Sequence, residues 1–362
     1  MINKIFLVGA FPPPVHGMSM VNAFIRDILI QHGHSPFIIN TAIPTLGRHW
    51  YIRLLRVGKV LNAIQQLITN LTRKKNNVYF SLSGGYGQVY EMLYILIARF
   101  FRSRIFLHHH SYAYLNKYSY LTKLLVCFAG QETIHIALCQ DMIARLKANY
   151  GNSIKSIVLS NVVFIEKHNN TKPKNNLQYL GFLSNITEEK GIFEFIELLN
   201  KLQEKNIYIK GLIAGGFQNS HIEENVLTKI KSLNNIEYVG AKYGQEKLYF
   251  FDKIDVLVFP TKYINEAEPL TIHEAMAKAV PVIAIERGCI SCFVNEETGL
   301  LIKQKEDFLT KALDKIIEWQ KNPSVLEKLS KNSLATFENQ HQFYQNQSEK
   351  LYQALVEISH DS

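Results

Sequence analysis

The chain has 362 residues, 47% of them hydrophobic and 20% charged, with 40 Lys and Arg against 31 Asp and Glu. At about 100–200 residues per domain this length suggests two domains or one large barrel, and the composition excludes a disordered, collagen-like or coiled-coil chain. The charge is uneven: residues 1–165 hold 17 Lys and Arg against 4 Asp and Glu, a net of +13, and the remainder holds 23 against 27, a net of −4. A basic half suits an anionic partner, such as nucleic acid, a membrane surface or a phosphorylated substrate.

Short apolar runs alternate with amphipathic stretches from the start. Residues 5–8 read as a buried first strand rather than an export signal, because the run is short and ends in Pro12-Pro13-Pro14. Helices are expected at 20–32, 52–71 and 90–100, and strands at 78–81, 105–108, 134–137 and 157–159. No apolar stretch reaches the ~20 residues of a membrane span. Residues 166–176, EKHNNTKPKNN, form a polar linker with Pro173, so one domain spans 1–165 and a second 166–342. Beyond the linker, strands are expected at 177–180, 208–214, 236–239, 256–259 and 282–285, and helices at 194–202, 270–279 and 307–320. The tail, 343–362, carries Leu351, Leu355 and Ile358 at helical spacing and is expected to pack back on the first domain. Strand–helix alternation, twice over, predicts an α/β fold of two parallel sheets, with ligands outside the carboxyl ends of the strands in a cleft. The four cysteines, Cys127, Cys139, Cys289 and Cys292, are too few for a disulfide scaffold. The pair Cys289 and Cys292 has no partner pair at zinc spacing, so a reducing cytosol is the plainer reading.

Four segments bear chemistry. Gly9 to Ser19 follows the first strand: three prolines stiffen it, Gly17 permits close backbone approach and Ser19 can cap the next helix, which suits an anion. His108, His109 and His110 end a strand, where alternation puts His108 and His110 on one face; sugar contact or charge stabilisation fits better than a metal, for which no nearby carboxylate or thiol completes a shell. Lys190, between Glu189 and Gly191 at a helix entry, can set a point charge on a phosphate. The strongest segment is Glu266-Ala267-Glu268-Pro269-Leu270-Thr271-Ile272-His273-Glu274, where Pro269 suits a first helical turn and the N–H groups near Leu270 and Thr271 offer a seat for a diphosphate. On one straight helix Glu266 and Glu274 would stand ~12 Å apart. That separation is too wide for a retaining glycosidase pair at ~5 Å, and suits gripping the two ends of an extended polar ligand.

The proline loop, the histidines, G-x-L-x(6)-K-G from Gly181 to Gly191, and E-x(7)-E from Glu266 to Glu274 resemble the family 4 retaining glycosyltransferases of the GT-B fold. Ile213-Ala214-Gly215-Gly216, Tyr238-Val239-Gly240 and Glu297-Thr298-Gly299-Leu300-Leu301 add to the likeness. The resemblance implies two Rossmann-like parallel-sheet domains facing across a cleft. It implies that Glu266 holds donor-sugar hydroxyls and Glu274 the nucleotide ribose, that Gly17, Lys190, Leu270 and Thr271 surround the diphosphate with Pro269 beside them, and that His109 and His110 lie on the donor side. Glu266, His110 and Lys190 are then the catalytic candidates. The family often has an Arg where this chain has Phe182, so Lys190 is left as the main identifiable cation.

The resulting expectation is a metal-independent, cofactor-free transfer of a hexose-type sugar from a nucleotide diphosphate sugar to a lipid-linked (polyprenyl diphosphate) glycan. Arg48, Arg53, Arg56, Lys59, Arg73, Lys74 and Lys75, around an apolar stripe, suit an anionic membrane surface, so the protein is expected to be cytoplasmic and peripheral on the inner membrane. The alternatives are a GT-B nucleotide-sugar epimerase and a basic nucleic-acid-binding protein. The latter is disfavoured by the acidic second half and the lack of a recognisable nucleic-acid motif.

Overall fold

The computed structural model describes residues 4–43, 50–71, 76–169 and 171–357, without the side chains of 50–53. The chain divides into two compact units, Met1–Phe164 with Phe343–Ser362, and Ile165–Gln342.

The first unit is built on β1 (Lys4–Gly9), β2 (Phe37–Asn40), β3 (Asn76–Leu82), β4 (Arg104–His109), β5 (Ile134–Ala137) and β6 (Lys155–Val158), all parallel in the order β2-β1-β3-β4-β5-β6. Its helices are α1 (Gly17–Gln31), α2 (Trp50–Asn70), α3 (Gly87–Phe100), α4 (Ala113–Asn116), α5 (Tyr120–Ala129) and α6 (Gln140–Tyr150). Parallel strands covered on both faces must be apolar on both, and alternate residues of β1 show it. Phe6 and Val8 enter the core beneath α2, α3 and α5, while Ile5 and Leu7 enter the one beneath α1.

The second unit holds β7 (Tyr179–Leu183), β8 (Lys210–Ala214), β9 (Ile236–Tyr238), β10 (Val256–Phe259), β11 (Val282–Ile285) and β12 (Gly299–Ile302), parallel in the order β12-β11-β10-β7-β8-β9. Helices α7 (Ile192–Glu204), α8 (Ser220–Lys231), α9 (Gly244–Lys253), α10 (Leu270–Ala277) and α11 (Phe308–Lys321) flank this sheet, and α12 (Pro323–Val356) closes the chain. Each sheet therefore reverses its direction of growth once, between β1 and β3 in the first and between β7 and β10 in the second. Such switch points leave loops diverging to opposite faces at the carboxyl edge, and a ligand-sized opening between them.

Beyond the elements expected from the sequence, the structure has β2 and β12, both four-residue edge strands, and helices α4, α5, α6, α8 and α9. The expected tail helix from 343 is the end of a single 34-residue helix that starts at Pro323. Within the first unit, Leu351 and Leu355 enter the cluster of Ile5, Leu7, Ile25 and Leu29. Asn77 Nδ2 donates to the Leu355 carbonyl at 2.7 Å, and Arg104 Nη1 to that of Ala354 at 3.0 Å. Ile358 lies outside the described residues. Truncating a fully packed leucine removes transfer energy and leaves a cavity, so Leu351→Ala should cost about 2–4 kcal/mol in urea unfolding. A loss below about 0.5 kcal/mol, the usual range for a surface substitution, would show that the tail is not part of this core.

Candidate active site

The loops that leave β7 and β10 meet at the second switch point. After β7, Thr187 accepts from the Lys190 N–H at 3.2 Å and closes a single 3-10 turn. Gly191 follows with φ +82°, and a Cβ there would lie 2.2 Å from the Pro260 carbonyl oxygen, so only glycine lets the two loops approach. The Lys262 N–H donates to the Glu189 carbonyl at 2.7 Å, and Lys262 Nζ pairs with Glu194 at 2.5 Å. Between these ties, Lys190 Nζ lies 2.5 Å from Glu266 Oε2, with the two side chains 19% and 9% exposed. Thr261 donates to the same carboxylate oxygen at 3.0 Å, and the ammonium sits 5.0 Å from the Tyr263 ring centroid. A half-buried ion pair keeps its charges only when further polar contacts compensate lost water, and these contacts do so.

Helix α10 begins immediately after this loop. Pro269 is its N-cap, with φ −72° and ψ 123°, not a first-turn residue as expected. Proline has no side-chain cap to offer, which leaves the N–H groups of Leu270 and Thr271 as open donors at the positive end of the helix. Glu274 stands one turn along, paired with Lys247 Nζ of α9 at 2.5 Å. His273 Nε2 lies 2.6 Å from Glu268 Oε1, both side chains 1% exposed, and the imidazole meets the Phe293 ring edge-on. This buried bond ties the loop to its own helix. Lys190, Glu266, Pro269, Leu270, Thr271 and Glu274, expected together from the sequence, lie on these two loops and the start of α10. Lys247 and Thr261 lie outside the E-x(7)-E segment, and the Glu268–His273 bond lies inside it, where the spacing marks only the two end glutamates. Phe182, at the position expected to hold Arg, is buried in the sheet core 5.6 Å from Phe195. The second lysine near α10 comes instead from α9.

In the first unit, the proline loop ends in a cap different from the one expected. His16 is the N-cap of α1: its Nδ1 accepts from the Ser19 N–H at 3.3 Å, and Ser19 Oγ accepts from the His16 N–H at 3.0 Å. Ser19 is thus the third residue of the helix in a reciprocal box. Gly17 is the first residue, and a Cβ there would meet nothing within 4 Å.

The three histidines divide by face. The rings of His108 and His110 are 4.1 Å apart, and Tyr79 O–H donates to Asn22, so the 2.7 Å contact from Tyr79 to His108 requires His108 Nδ1–H as donor. His109 points the other way. Its Nδ1 bonds the Tyr114 hydroxyl at 2.9 Å and its Nε2 bonds His135 Nδ1 at 2.9 Å, and the residue is fully buried. Its side chain has no nitrogen left for a donor substrate, which corrects the binding role expected for it. His110 is partly exposed as a residue, yet its Nε2 is buried without a partner among the described residues. Burial pushes His110 down to about 3 and His135 to about 4, with His108 and His109 lowered in the same direction. His110 is therefore a neutral hydrogen-bonding group at physiological pH, not the charge stabiliser considered from sequence. Among the described residues no three His, Cys, Asp or Glu converge as a metal-holding group.

These depressed values set the acid sensitivity of the first unit. The unfolded chain binds protons from about pH 6.5 downward while the folded histidines stay neutral. Stability is thus intact above that pH and lost as pH falls toward 4. His135 alone accounts for about 2 kcal/mol between pH 7 and 5. Glu91, raised by burial to about 7, acts oppositely over the same window, but is one group against four. The urea midpoint should fall steadily from pH 7 to pH 5; a flat or rising midpoint would contradict the neutral cluster.

The basic segment is only partly described: Arg48, Arg73, Lys74 and Lys75 lie outside the described residues, as does the side chain of Arg53. Arg56 and Lys59 are exposed on α2. The expected single apolar stripe is split. Val60, Ala63, Ile64, Leu67 and Leu71 face the core, while Leu54, Leu55, Val57, Leu61 and Ile68 stand in solvent. Among the described residues no helix is long and apolar enough to cross a membrane.

Residues 163–336 match the family model described as Glycosyl transferases group 1. The chain is 24% identical over 327 residues to the capsular polysaccharide biosynthesis glycosyltransferase CapM of Staphylococcus aureus, covering 89% of this chain and 77% of that protein. It is 24% identical over 176 residues to the alpha-monoglucosyldiacylglycerol synthase of Acholeplasma laidlawii, 48% of this chain and 43% of that one. Anabaena HepE, solved in complex with UDP, superposes with a TM-score of 0.70 at 16% identity over 96% of this chain and 99% of that one. The same protein solved with UDP-glucose gives 0.70 at 15% identity, over 97% and 100%. The similarity to group 1 glycosyltransferases thus spans residues 163–336, and the chain has the two-domain α/β architecture of the GT-B fold.

Proposed function

We propose that the protein is a retaining, metal-independent glycosyltransferase that moves a hexose-type sugar from a nucleotide diphosphate sugar to a hydroxyl of a lipid-linked (polyprenyl diphosphate) glycan, in O-antigen, capsule or exopolysaccharide synthesis. The observation that carries this reading is the Lys190–Glu266 pair at a switch point, immediately before the uncapped N-terminus of α10. The capsular relative and the UDP and UDP-glucose complexes of HepE support a polysaccharide product and a uridine nucleotide donor.

The chemical demand is to hold negative charge on the diphosphate as the bond from the sugar C1 to phosphate oxygen breaks. Open N–H donors at Leu270 and Thr271 and the Lys190 ammonium meet it by preorganised electrostatics. Lys190 has three hydrogens to donate, so it can keep Glu266 while reaching a phosphate oxygen. Glu266 then takes sugar hydroxyls and Glu274 the ribose hydroxyls, with Lys247 balancing its charge. On this reading the new bond from C1 to the acceptor oxygen forms on the face the phosphate leaves, and the acceptor proton passes to the departing phosphate oxygen.

Removing one such donor typically costs ~10²–10³ in turnover, so Lys190→Ala assayed in EDTA should fall by that factor while the wild type keeps its rate in chelator. A variant within twofold of wild type, or loss of wild-type turnover in EDTA, would contradict the assignment.

A lipid-linked acceptor calls for a membrane-facing surface. The solvent-facing leucines of α2 beside Arg56 and Lys59 support one, and exposed Leu93, Leu96 and Phe100 on α3 and Leu124 on α5 extend it. With Arg48, Arg53, Arg73, Lys74 and Lys75 in the same segment, the protein is a peripheral enzyme on the cytoplasmic side of the inner membrane. Flotation with liposomes should increase with anionic lipid content; flotation indifferent to it would remove this part of the reading.

A further inference from the structure

We propose that the pocket at the switch point of the first sheet binds a sugar phosphate or diphosphate, with Arg56 and Lys59 on the phosphate and the Glu91 carboxyl on a sugar hydroxyl. This deepens the acceptor reading above and rests on it for the reaction, though not for the binding.

The pocket has a volume of about 380 Å³ and lies where the loops after β1 and β3 diverge, with Ala10 and His16 on one side and Ser83 on the other. That is the size of a small-ligand site, at the position where open parallel sheets hold ligands. Its floor carries an unusual acid. Glu91 Oε1 accepts from the Ser83 N–H at 2.9 Å and from Ser83 Oγ at 2.7 Å, which fixes the carboxyl in one orientation. Its Oε2 is buried and has no hydrogen-bond partner among the described residues. An orphaned buried polar atom is costly, and a ligand hydroxyl relieves that cost. Burial raises the Glu91 pKa to about 7; its carboxylate can accept from a hydroxyl, and its acid form can donate to one.

The same pocket also has a cationic lining. Arg56 and Lys59 line the pocket from α2, and no described carboxylate pairs with either, whereas Lys190, Lys247 and Lys262 each hold a glutamate. An unpaired guanidinium beside an ammonium fits a phosphate group. Lys59 also borders an open hollow with Leu54 and Leu55, so an apolar surface adjoins the phosphate position. A free sugar phosphate and the headgroup of a lipid-linked sugar share the chemistry this arrangement recognises.

The test is calorimetry on the full chain with glucose 1-phosphate, pyrophosphate and farnesyl diphosphate, each in the presence of saturating UDP so that a nucleotide site is already filled. Wild type should bind glucose 1-phosphate. Arg56→Ala/Lys59→Ala should weaken glucose 1-phosphate and pyrophosphate by about tenfold or more, as loss of charge-assisted hydrogen bonds requires. Glu91→Gln keeps an acceptor for Ser83 but replaces the open oxygen with an amide; it should weaken glucose 1-phosphate about fivefold or more and leave pyrophosphate no weaker. Farnesyl diphosphate at least about tenfold tighter than pyrophosphate, with the gain lost in Leu54→Ser/Leu55→Ser, supports the lipid-linked source; equal affinity supports the soluble one. The proposal falls if wild type does not bind glucose 1-phosphate at millimolar concentration, if the double variant binds both probes as wild type does, or if Glu91→Gln weakens both probes equally or neither. If UDP itself fails to bind, the donor reading fails while these outcomes still decide the pocket.

Discussion

The ion pair between Lys190 and Glu266 joins two loops 76 residues apart in sequence, and much of the second unit serves to make it. It can form only because β7 and β10 are neighbours in the sheet although two strands, β8 and β9, lie between them in the chain. Their loops approach closely enough only because Gly191 has no side chain against Pro260. Placing a charged pair here has a desolvation cost of several kcal/mol per ion in general, offset by Thr261, by the aromatic faces of Phe259 and Tyr263, and by the rigid ties around Lys262. A structure that only needed to fold could replace this pair with apolar packing. Its retention beside an uncapped helix end is what makes a ligand the natural completion of the site.

The same topological device occurs twice, with different chemistry. In the second unit both glutamates of the E-x(7)-E segment hold lysines, so the side-chain charges are balanced and the start of α10 offers its N–H donors without a side-chain cap. In the first unit the balance is left open: among the described residues, Arg56 and Lys59 of α2 have no carboxylate partner, and Glu91 of the pocket has an oxygen without a hydrogen bond. Behind that pocket the histidines of β4 are held neutral and dry, wired through Tyr79 to Asn22 and through His109 to His135. They brace the carboxyl edge of the sheet rather than charge it.

Much of the fold was legible because central strands of a parallel sheet are buried on both faces and read as largely apolar runs: 134–137, 256–259 and 282–285 match their observed bounds. Edge strands such as FIIN and GLLI carry a weaker signal, and α9 carries too many charges to show its buried Phe250 and Phe251. At the candidate site, residues local to a motif were legible and their partners were not. Lys247 reaches Glu274 from a different helix, and nothing in the spacing of the sequence announces it. The histidine run shows the converse error. Alternation put His109 on the face away from its neighbours, yet His109 was expected on the donor side beside His110, and the burial that removes it from that role is a tertiary fact. The apolar stripe of α2 was likewise read as one face, whereas the three-dimensional packing divides it into a core side and a solvent side.

The central claim is that the β7 and β10 loops with the start of α10 seat a nucleotide diphosphate. Amide hydrogen exchange with and without UDP tests it most directly. Bound UDP should slow exchange in residues 187–191 and 266–274 above all. Slowed exchange confined to other segments, or no change at saturating UDP, would contradict the account.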